Sequence, residues 1–208
     1  MHHCHDITLW SVFSQLGALS PSGAIRPFSS AADGLLIGEG TGMVVLRRLS
    51  DALAAGQPIY AVVHGTGVAS DGRDSSLLRP RVEGQVLALE RAWADAQLPI
   101  DRLGLIEAHG TATSAGDATE IDTLHRFLGH DGPPIGLGSV KSMIGHLMPA
   151  AGIAGFIKAV MAVRDRVLPP TLHVGDPHPA LAGSRLAPVI DAAEWQGETA
   201  LAAVNAFG

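Results

Sequence analysis

Short apolar segments alternate with amphipathic segments of helical length, and this alternation constrains the fold more than any other feature of the chain. Residues 82–96 carry apolar side chains at helical spacing, which predicts a helix. The same reasoning predicts further helices at 118–128 and 150–163, and strands at 103–107, 135–140 and 201–204. Strands that alternate with helices indicate a parallel or mixed sheet covered on both faces. The sequence therefore predicts an α/β fold.

The first third of the chain predicts two more strands and one short helix. Segments 38–46 and 59–67 combine glycines with β-branched residues, which is typical of buried strands. A helix is predicted over 50–55 with Ser50 as its N-cap, and a polar loop over 70–80. Residues 7–13 are apolar without an evident partner, so we expect exposed apolar surface there and poor solubility of the isolated chain.

Composition excludes several classes of protein. The chain has 208 residues, a net charge of −6 and no block of Lys and Arg, which argues against nucleic-acid binding. Apolar stretches are interrupted well before the ~18 residues that a membrane span needs, and no signal peptide is evident. The single cysteine, Cys4, excludes an intramolecular disulfide and favours a cytoplasmic protein. The cluster at residues 2–6 lacks a partner cluster, so we predict no metal site.

Two polar clusters each follow a predicted strand. The first is Glu107-Ala-His-Gly-Thr-Ala-Thr-Ser-Ala-Gly-Asp-Ala-Thr-Glu120, and the second is Lys141-Ser-Met-Ile-Gly-His-Leu-Met-Pro-Ala-Ala-Gly152. Because ligands of open α/β sheets bind at the carboxyl ends of strands, both clusters are candidates for the functional site.

These clusters resemble the two histidine motifs of the β-ketoacyl synthases, the condensing domains of fatty acid and polyketide synthases. The similarity extends to segments 28–34, 38–42, 168–171 and 205–208, in the family's order and spacing. It implies a thiolase-like layered fold with a mixed sheet flanked by helices. It also implies that the chain is incomplete, with the end of the first half at about 1–60 and most of the second half at about 61–208. Family members dimerise, so we expect a homodimer of the full-length parent.

The resemblance implies a decarboxylative Claisen condensation between an acyl thioester and a malonyl-type extender carried on the phosphopantetheine of an acyl carrier protein. His109 and His146 match the histidines that stabilise negative charge on the extender thioester. Lys141 matches the lysine that organises the second histidine, and Glu120 matches a buried supporting acid. No cofactor is expected to bind directly.

Three further residues match substrate-binding positions of the family. Thr111 and Thr113 match threonines that contact the phosphopantetheine arm, and Phe207 matches a residue of the acyl pocket. Each has a structural alternative, namely hydrogen bonds within a turn for the threonines and plain core packing for Phe207. Lys141 could likewise be a solvated loop cation.

The family's nucleophilic cysteine is expected upstream of this chain. Cys4 is too close to the matching segment 13–20 and lacks a following run of small residues, so we predict that it is not the nucleophile and that the chain alone is inactive. Three hypotheses remain: part of an active ketosynthase, part of a non-elongating partner subunit, or a thiolase. The presence of both histidines favours the first, and the absence of a late cysteine counts against the third.

Overall fold

Six α-helices, three 3₁₀-helices (Ile100–Arg102, Met148–Ala150 and Pro179–Leu181) and six strands lie within residues 6–72, 80–197 and 200–207, which are the residues that this computed structural model describes. The helices are α1 (Ile7–Gln15), α2 (Leu49–Ala54), α3 (Val82–Ala96), α4 (Ser114–Leu128), α5 (Lys141–Ile144) and α6 (Ala151–Asp165). The strands are β1 (Leu103–Glu107), β2 (Ile135–Gly138), β3 (Val167–Leu168), β4 (Leu186–Pro188), β5 (Ala193–Glu194) and β6 (Leu201–Val204). Cys4, most of the cluster at 2–6 and most of the predicted loop 70–80 lie outside the described residues.

A four-stranded parallel sheet in the order β4-β2-β1-β6 forms the centre of the fold. Leu105 of β1 lies opposite Gly136 of β2 on one side and Ala202 of β6 on the other. Strands β3 and β5 form a separate antiparallel pair. Because β1, β2 and β6 are parallel neighbours, the loops that follow them leave from the same edge of the sheet.

Helices cover both faces of this sheet, as predicted. Helix α4 packs Ile121 and Leu124 against Ile106 on one face, with α3 packed against α4. On the other face, Leu105 packs with Ala162 of α6 and with Trp195. Leu105 and Ile106 are consecutive residues of β1 and therefore point to opposite faces. Both faces of the strand are buried, as is usual in parallel sheets.

The predicted strands at 38–46 and 59–67 are wrong. Within the described residues neither segment forms a ladder, and the nearest feature is an isolated bridge between Ile37 and His146. A strand is defined by hydrogen bonds to a neighbour, and β-branched composition does not supply that neighbour. We call residues 43–46 and 59–63 the exposed apolar segments, because Val45 is 97% exposed and Val63 is 51% exposed.

Several predicted boundaries are corrected. Helix α2 begins at Leu49 with Arg48 at its N-cap, and the Ser50 hydroxyl bonds to Asp51 instead of capping. Helix α4 begins four residues before the predicted start at 118. Strand β2 ends at Gly138, and the predicted loop 141–146 contains the one-turn helix α5.

The N-terminal apolar residues are less exposed than expected. Ile7 and Val12 are exposed as expected, at 81% and 45%, but Leu9, Trp10 and Phe13 of α1 pack against a buried cluster that includes Ile37. No helix in the described part of the chain is long and apolar enough to cross a membrane.

Candidate active site

The structure brings His109 and His146 together at the carboxyl edge of the sheet. His109 follows β1 by two residues, and His146 follows α5 by two residues. Their ring centroids are 5.4 Å apart and the rings are inclined by 80°. His146 is 9% exposed and His109 is partly buried. Because β1 and β2 are adjacent and parallel, the fold itself places the two loops side by side.

Backbone donors fix the tautomer of both imidazoles. The N–H of Phe207 donates to Nδ1 of His109 at 3.2 Å, and the N–H of Met148 donates to Nδ1 of His146 at 2.9 Å. A ring nitrogen that accepts a hydrogen bond carries no proton, so the proton of each neutral imidazole is assigned to Nε2. Each histidine therefore offers an Nε2–H donor.

Burial and the Lys141 charge keep both imidazoles neutral. Desolvation, followed by the charges of Lys141 and His146, lowers the pKa of His109 to about 2. Desolvation, followed by the charge of Lys141, lowers the pKa of His146 to about 4. A buried imidazolium beside a buried ammonium group is unfavourable, which is the physical cause of both shifts.

Glu120 anchors the backbone of the first histidine loop. Its two carboxylate oxygens accept hydrogen bonds from the N–H groups of His109 and Gly110, each at 2.8 Å. The side-chain amide of Asn205 donates to the same carboxylate at 3.2 Å. Burial raises the pKa of Glu120, while these donors oppose the shift because they favour the charged form.

Lys141 lies at the centre of the charges in the site and is 3% exposed. Its Nζ donates a hydrogen bond to the carbonyl oxygen of His109, so its direct contact is with the loop of the first histidine. Burial lowers the pKa of Lys141, and the carboxylates of Glu120, Glu107 and Asp117 act in the opposite direction. Because Lys141 is buried, the alternative that it is a solvated loop cation is wrong.

Thr111, Thr113 and Phe207 lie next to the histidines. The two threonine hydroxyls are 3.0 Å apart and bond to each other, and Gly116 leaves them room because a Cβ there would lie 2.5 Å from Oγ1 of Thr113. The Phe207 ring lies 4.9 Å from the His109 ring. Phe207 thus contacts the candidate site through both its backbone and its ring.

Asp117 is a site residue that the sequence reasoning missed. One oxygen of its carboxylate accepts from the N–H of Phe28 at 2.7 Å, and the other accepts from the N–H of Ala112 at 3.0 Å. Phe28 and Ala112 each have a φ of 60°, which is unfavourable for residues other than glycine. The carboxylate of Asp117 therefore holds two unfavourable backbone conformations in place. Burial raises the pKa of Asp117 to about 7. The sequence does contain a signal that could have identified Asp117. It is an acidic residue in the first turn of the helix that follows the His-Gly-Thr loop.

Comparisons with known proteins define the class to which this fold and site belong. The model of the β-ketoacyl synthase C-terminal domain matches residues 60–175, and that of the N-terminal domain matches residues 4–52. The chain belongs to the β-ketoacyl synthase family, and the thiolase-like fold that the sequence implied is confirmed.

Its relatives are polyketide synthases. The chain is 44% identical over 203 residues to the spectinabilin polyketide synthase system protein NorB of Streptomyces orinoci, which covers 94% of this chain and 9% of that protein. It superposes on a ketosynthase from module 6 of the bacillaene synthase of Bacillus subtilis 168 with a TM-score of 0.92 and 30% identity. It superposes equally well on the oxazolomycin ketosynthase domain OzmH KS7 of Streptomyces albus JA3453, at 36% identity. These two alignments cover 98% of this chain but only 38% and 37% of the respective ketosynthases.

Proposed function

We propose that the chain is part of a ketosynthase that extends an acyl chain by decarboxylative Claisen condensation in polyketide synthesis. In this reaction the bond between the carboxylate and the α-carbon of a malonyl-type thioester breaks, and carbon dioxide leaves. The electron pair passes to the α-carbon and thioester oxygen, and the carbanion attacks the carbonyl of a cysteine-bound acyl group. The cysteine thiolate is the leaving group. The pairing of two neutral imidazoles with ring centroids 5.4 Å apart carries this proposal.

The histidines act as hydrogen-bond donors to the extender thioester. Negative charge develops on the thioester oxygen during decarboxylation, and preorganised donors in a dry site stabilise such charge. The Nε2–H groups of His109 and His146 are suited to this task, because their Nδ1 atoms are occupied by backbone donors. Lys141 and Glu120 are positioning residues, since they hold the backbone of the His109 loop.

The remaining site residues are assigned to the substrates. In this proposal Thr111 and Thr113 contact the phosphopantetheine arm of an acyl carrier protein, and Phe207 lines the acyl pocket. The phosphopantetheine belongs to the carrier and enters as part of the substrate, so the ketosynthase has no resident cofactor. The partners are thus the carrier protein, acyl and malonyl-type thioesters, and a second copy of the full-length parent. With one cysteine in the chain, we place the enzyme in the cytoplasm.

The acyl-bearing cysteine belongs, in this proposal, to a portion of the ketosynthase outside the chain. The chain spans 37–38% of the matched ketosynthase structures. We define the complete ketosynthase as this chain joined to an N-terminal portion that carries the nucleophile, from its own gene or from a relative. A non-elongating partner subunit is the alternative function. The presence of both histidines, side by side and each with its Nδ1 held by a backbone N–H, argues for condensation.

Replacement of each histidine by Ala in the complete ketosynthase tests these roles. Decarboxylation of a labelled extender should fall by about 10²–10³-fold, because one donor to the developing oxyanion is lost. Acyl loading of the cysteine, followed by mass spectrometry, should remain close to wild type. His173→Asn, which removes an exposed histidine outside the exposed apolar segments and suits its φ of 63°, is the control. Loss of loading with unchanged release of carbon dioxide would show that the assigned roles are wrong.

A further inference from the structure

Glu107 contacts all three loops that carry the candidate site. It is the last residue of β1 and lies two residues before His109. Its carbonyl oxygen accepts from the N–H of Asn205, in the loop that supplies Phe207. Its side-chain Oε1 accepts from the N–H of Val140 at 2.5 Å, directly before Lys141. One residue therefore fixes the exits of β1, β2 and β6.

A buried ion pair holds the Glu107 side chain in this position. Oε2 accepts from Nζ of Lys158 on α6 at 2.8 Å, and the two side chains are 1% and 9% exposed. Charges so far from water are costly unless they are paired and hydrogen-bonded. Glu107 uses one carboxylate oxygen for Lys158 and the other for Val140, so both oxygens are hydrogen-bonded away from solvent.

Two glycines leave room for the pair. A Cβ at Gly155 of α6 would lie 3.1 Å from Cγ of Glu107, and a Cβ at Gly138 would lie 3.3 Å from Nζ of Lys158. Glycine weakens a helix interior, so its presence in α6 suits a helix that must lie directly against another side chain. The helix packing is thus adapted to the ion pair.

We propose that Glu107 and Lys158 are positioning residues that set the His109 loop and the Lys141–His146 loop relative to each other. The side chain of Glu107 holds the N–H at the start of α5, and α5 presents Lys141 to the His109 carbonyl and leads into His146. The negative charge of Glu107 also favours the charged form of Lys141. Neither residue is assigned a contact with substrate, so both act through the histidines and Lys141.

This inference rests on the proposed function, and its test uses the complete ketosynthase. Lys158→Met keeps the length of the side chain and leaves the Glu107 carboxylate without its counterion. We expect the kcat for extender decarboxylation to fall by about tenfold or more, because small displacements of catalytic groups have large effects on rate. The KM for the malonyl carrier and the rate of acyl loading should change less than about twofold, since the substrate contacts are kept.

A double variant separates positioning from packing. In Glu107→Gln/Lys158→Met the amide oxygen can still accept from Val140 and no unpaired charge remains, so decarboxylation should recover most of the loss. Arg126→Met, which breaks an exposed ion pair with Asp122 at 3.0 Å, is the matched control and should leave both rates unchanged. If Lys158→Met fails to fold, Glu107→Gln is measured alone and should show a smaller loss of the same kind.

Three outcomes would overturn the inference: wild-type decarboxylation in Lys158→Met, equal losses of loading and decarboxylation, or full activity of Glu107→Gln where Lys158→Met does not fold. His146→Ala is measured in parallel. If His146→Ala retains decarboxylation, the proposed function fails. If it loses decarboxylation while Lys158→Met does not, the positioning role alone fails.

Discussion

His109 and His146 obtain a fixed tautomer from their backbone partners and a fixed charge from burial. The N–H groups of Phe207 and Met148 occupy both Nδ1 atoms, so the rings cannot exchange tautomers without breaking a hydrogen bond. Lys141 adds a positive charge that opposes protonation of either ring. A donor that does not titrate near neutral pH can support the same charge stabilisation over a wide range of pH.

The lowered pKa values predict that acid destabilises the fold through these two histidines. Their pKa values are about 2 and about 4 in the folded chain, against 6.5 as the ordinary value. Below pH 6.5 the unfolded chain binds protons that the folded chain does not, so the contribution is fully present above pH 6.5. It is lost as the pH falls to about 4 for His146 and to about 2 for His109. Asp117 and Glu120, whose pKa values burial raises, take up protons in the folded chain and act in the opposite direction. The two histidines should lower the urea midpoint of the complete ketosynthase at pH 5 relative to pH 7 by their own share of this balance.

A single substitution isolates the share of one histidine. In His146→Ala the midpoint at pH 5, relative to the midpoint at pH 7, should be higher than in wild type, because the group that takes up the proton on unfolding is gone. His173→Asn should leave the difference between the two midpoints unchanged, since this histidine is exposed and lies outside the exposed apolar segments. An equal pH dependence in wild type and His146→Ala would contradict the assignment.

At the scale of helices and strands, the elements with local periodicity were predictable. Helix α3 and strands β1 and β6 have the predicted bounds. The apolar stripe of α3 and the short apolar runs of β1 and β6 are local features that the sequence displays directly. The segments 38–46 and 59–67 have strand-like composition, but the ladder depends on a neighbour that the described residues do not supply. Composition alone could not reveal that difference.

Short motifs singled out four residues that the structure brings together at the candidate site, namely His109, His146, Lys141 and Glu120. The residues that hold the motifs together were missed, because their partners are remote in sequence. Asp117 binds Phe28 across 89 residues, Glu107 binds Val140 across 33 residues, and Lys158 reaches Glu107 across 51 residues. The position of Asp117 in the first turn of α4 is visible in the sequence, but the partners of all three residues follow from the topology of the fold and have no local signature.

Close packing of segment 59–67 on α3 gives a prediction at this scale. Gly67 faces the helix backbone, where an added Cβ would overlap the carbonyl oxygen of Ala88 and lie 2.5 Å from the nitrogen of Ala92. Gly67→Ala should therefore destabilise the complete ketosynthase by about 1–3 kcal/mol, as overpacking does elsewhere. Val68→Ala, at a side chain that is 81% exposed, should shift the urea midpoint little. Equal midpoints for the two variants would show that the segment does not pack tightly on α3.

At the scale of the whole molecule, the exposed apolar segments and the partial coverage of the relatives point to the same conclusion. More than half of each matched ketosynthase lies outside the region that aligns with this chain. Met43, Val45 and Leu46 are 88%, 97% and 74% exposed, which is unusual for a contiguous apolar run at a protein surface. We therefore expect the N-terminal portion of the complete ketosynthase to cover this surface.

A charge placed within the exposed apolar segments should have opposite effects on the chain alone and on the complete ketosynthase. In the isolated chain Val45→Lys should raise the soluble, monodisperse fraction measured by size-exclusion chromatography, because it interrupts an apolar surface that promotes association. In the complete ketosynthase the same lysine would be buried without a partner, which is strongly unfavourable, so soluble yield and condensation should both fall. Ile190→Lys changes a side chain that is 50% exposed in another part of the chain. It should leave the solubility of the isolated chain and the activity of the complete ketosynthase unchanged. A wild-type chain that is already a monodisperse, cooperatively unfolding monomer, or a complete ketosynthase that tolerates Val45→Lys, would contradict the idea that this surface is an interface.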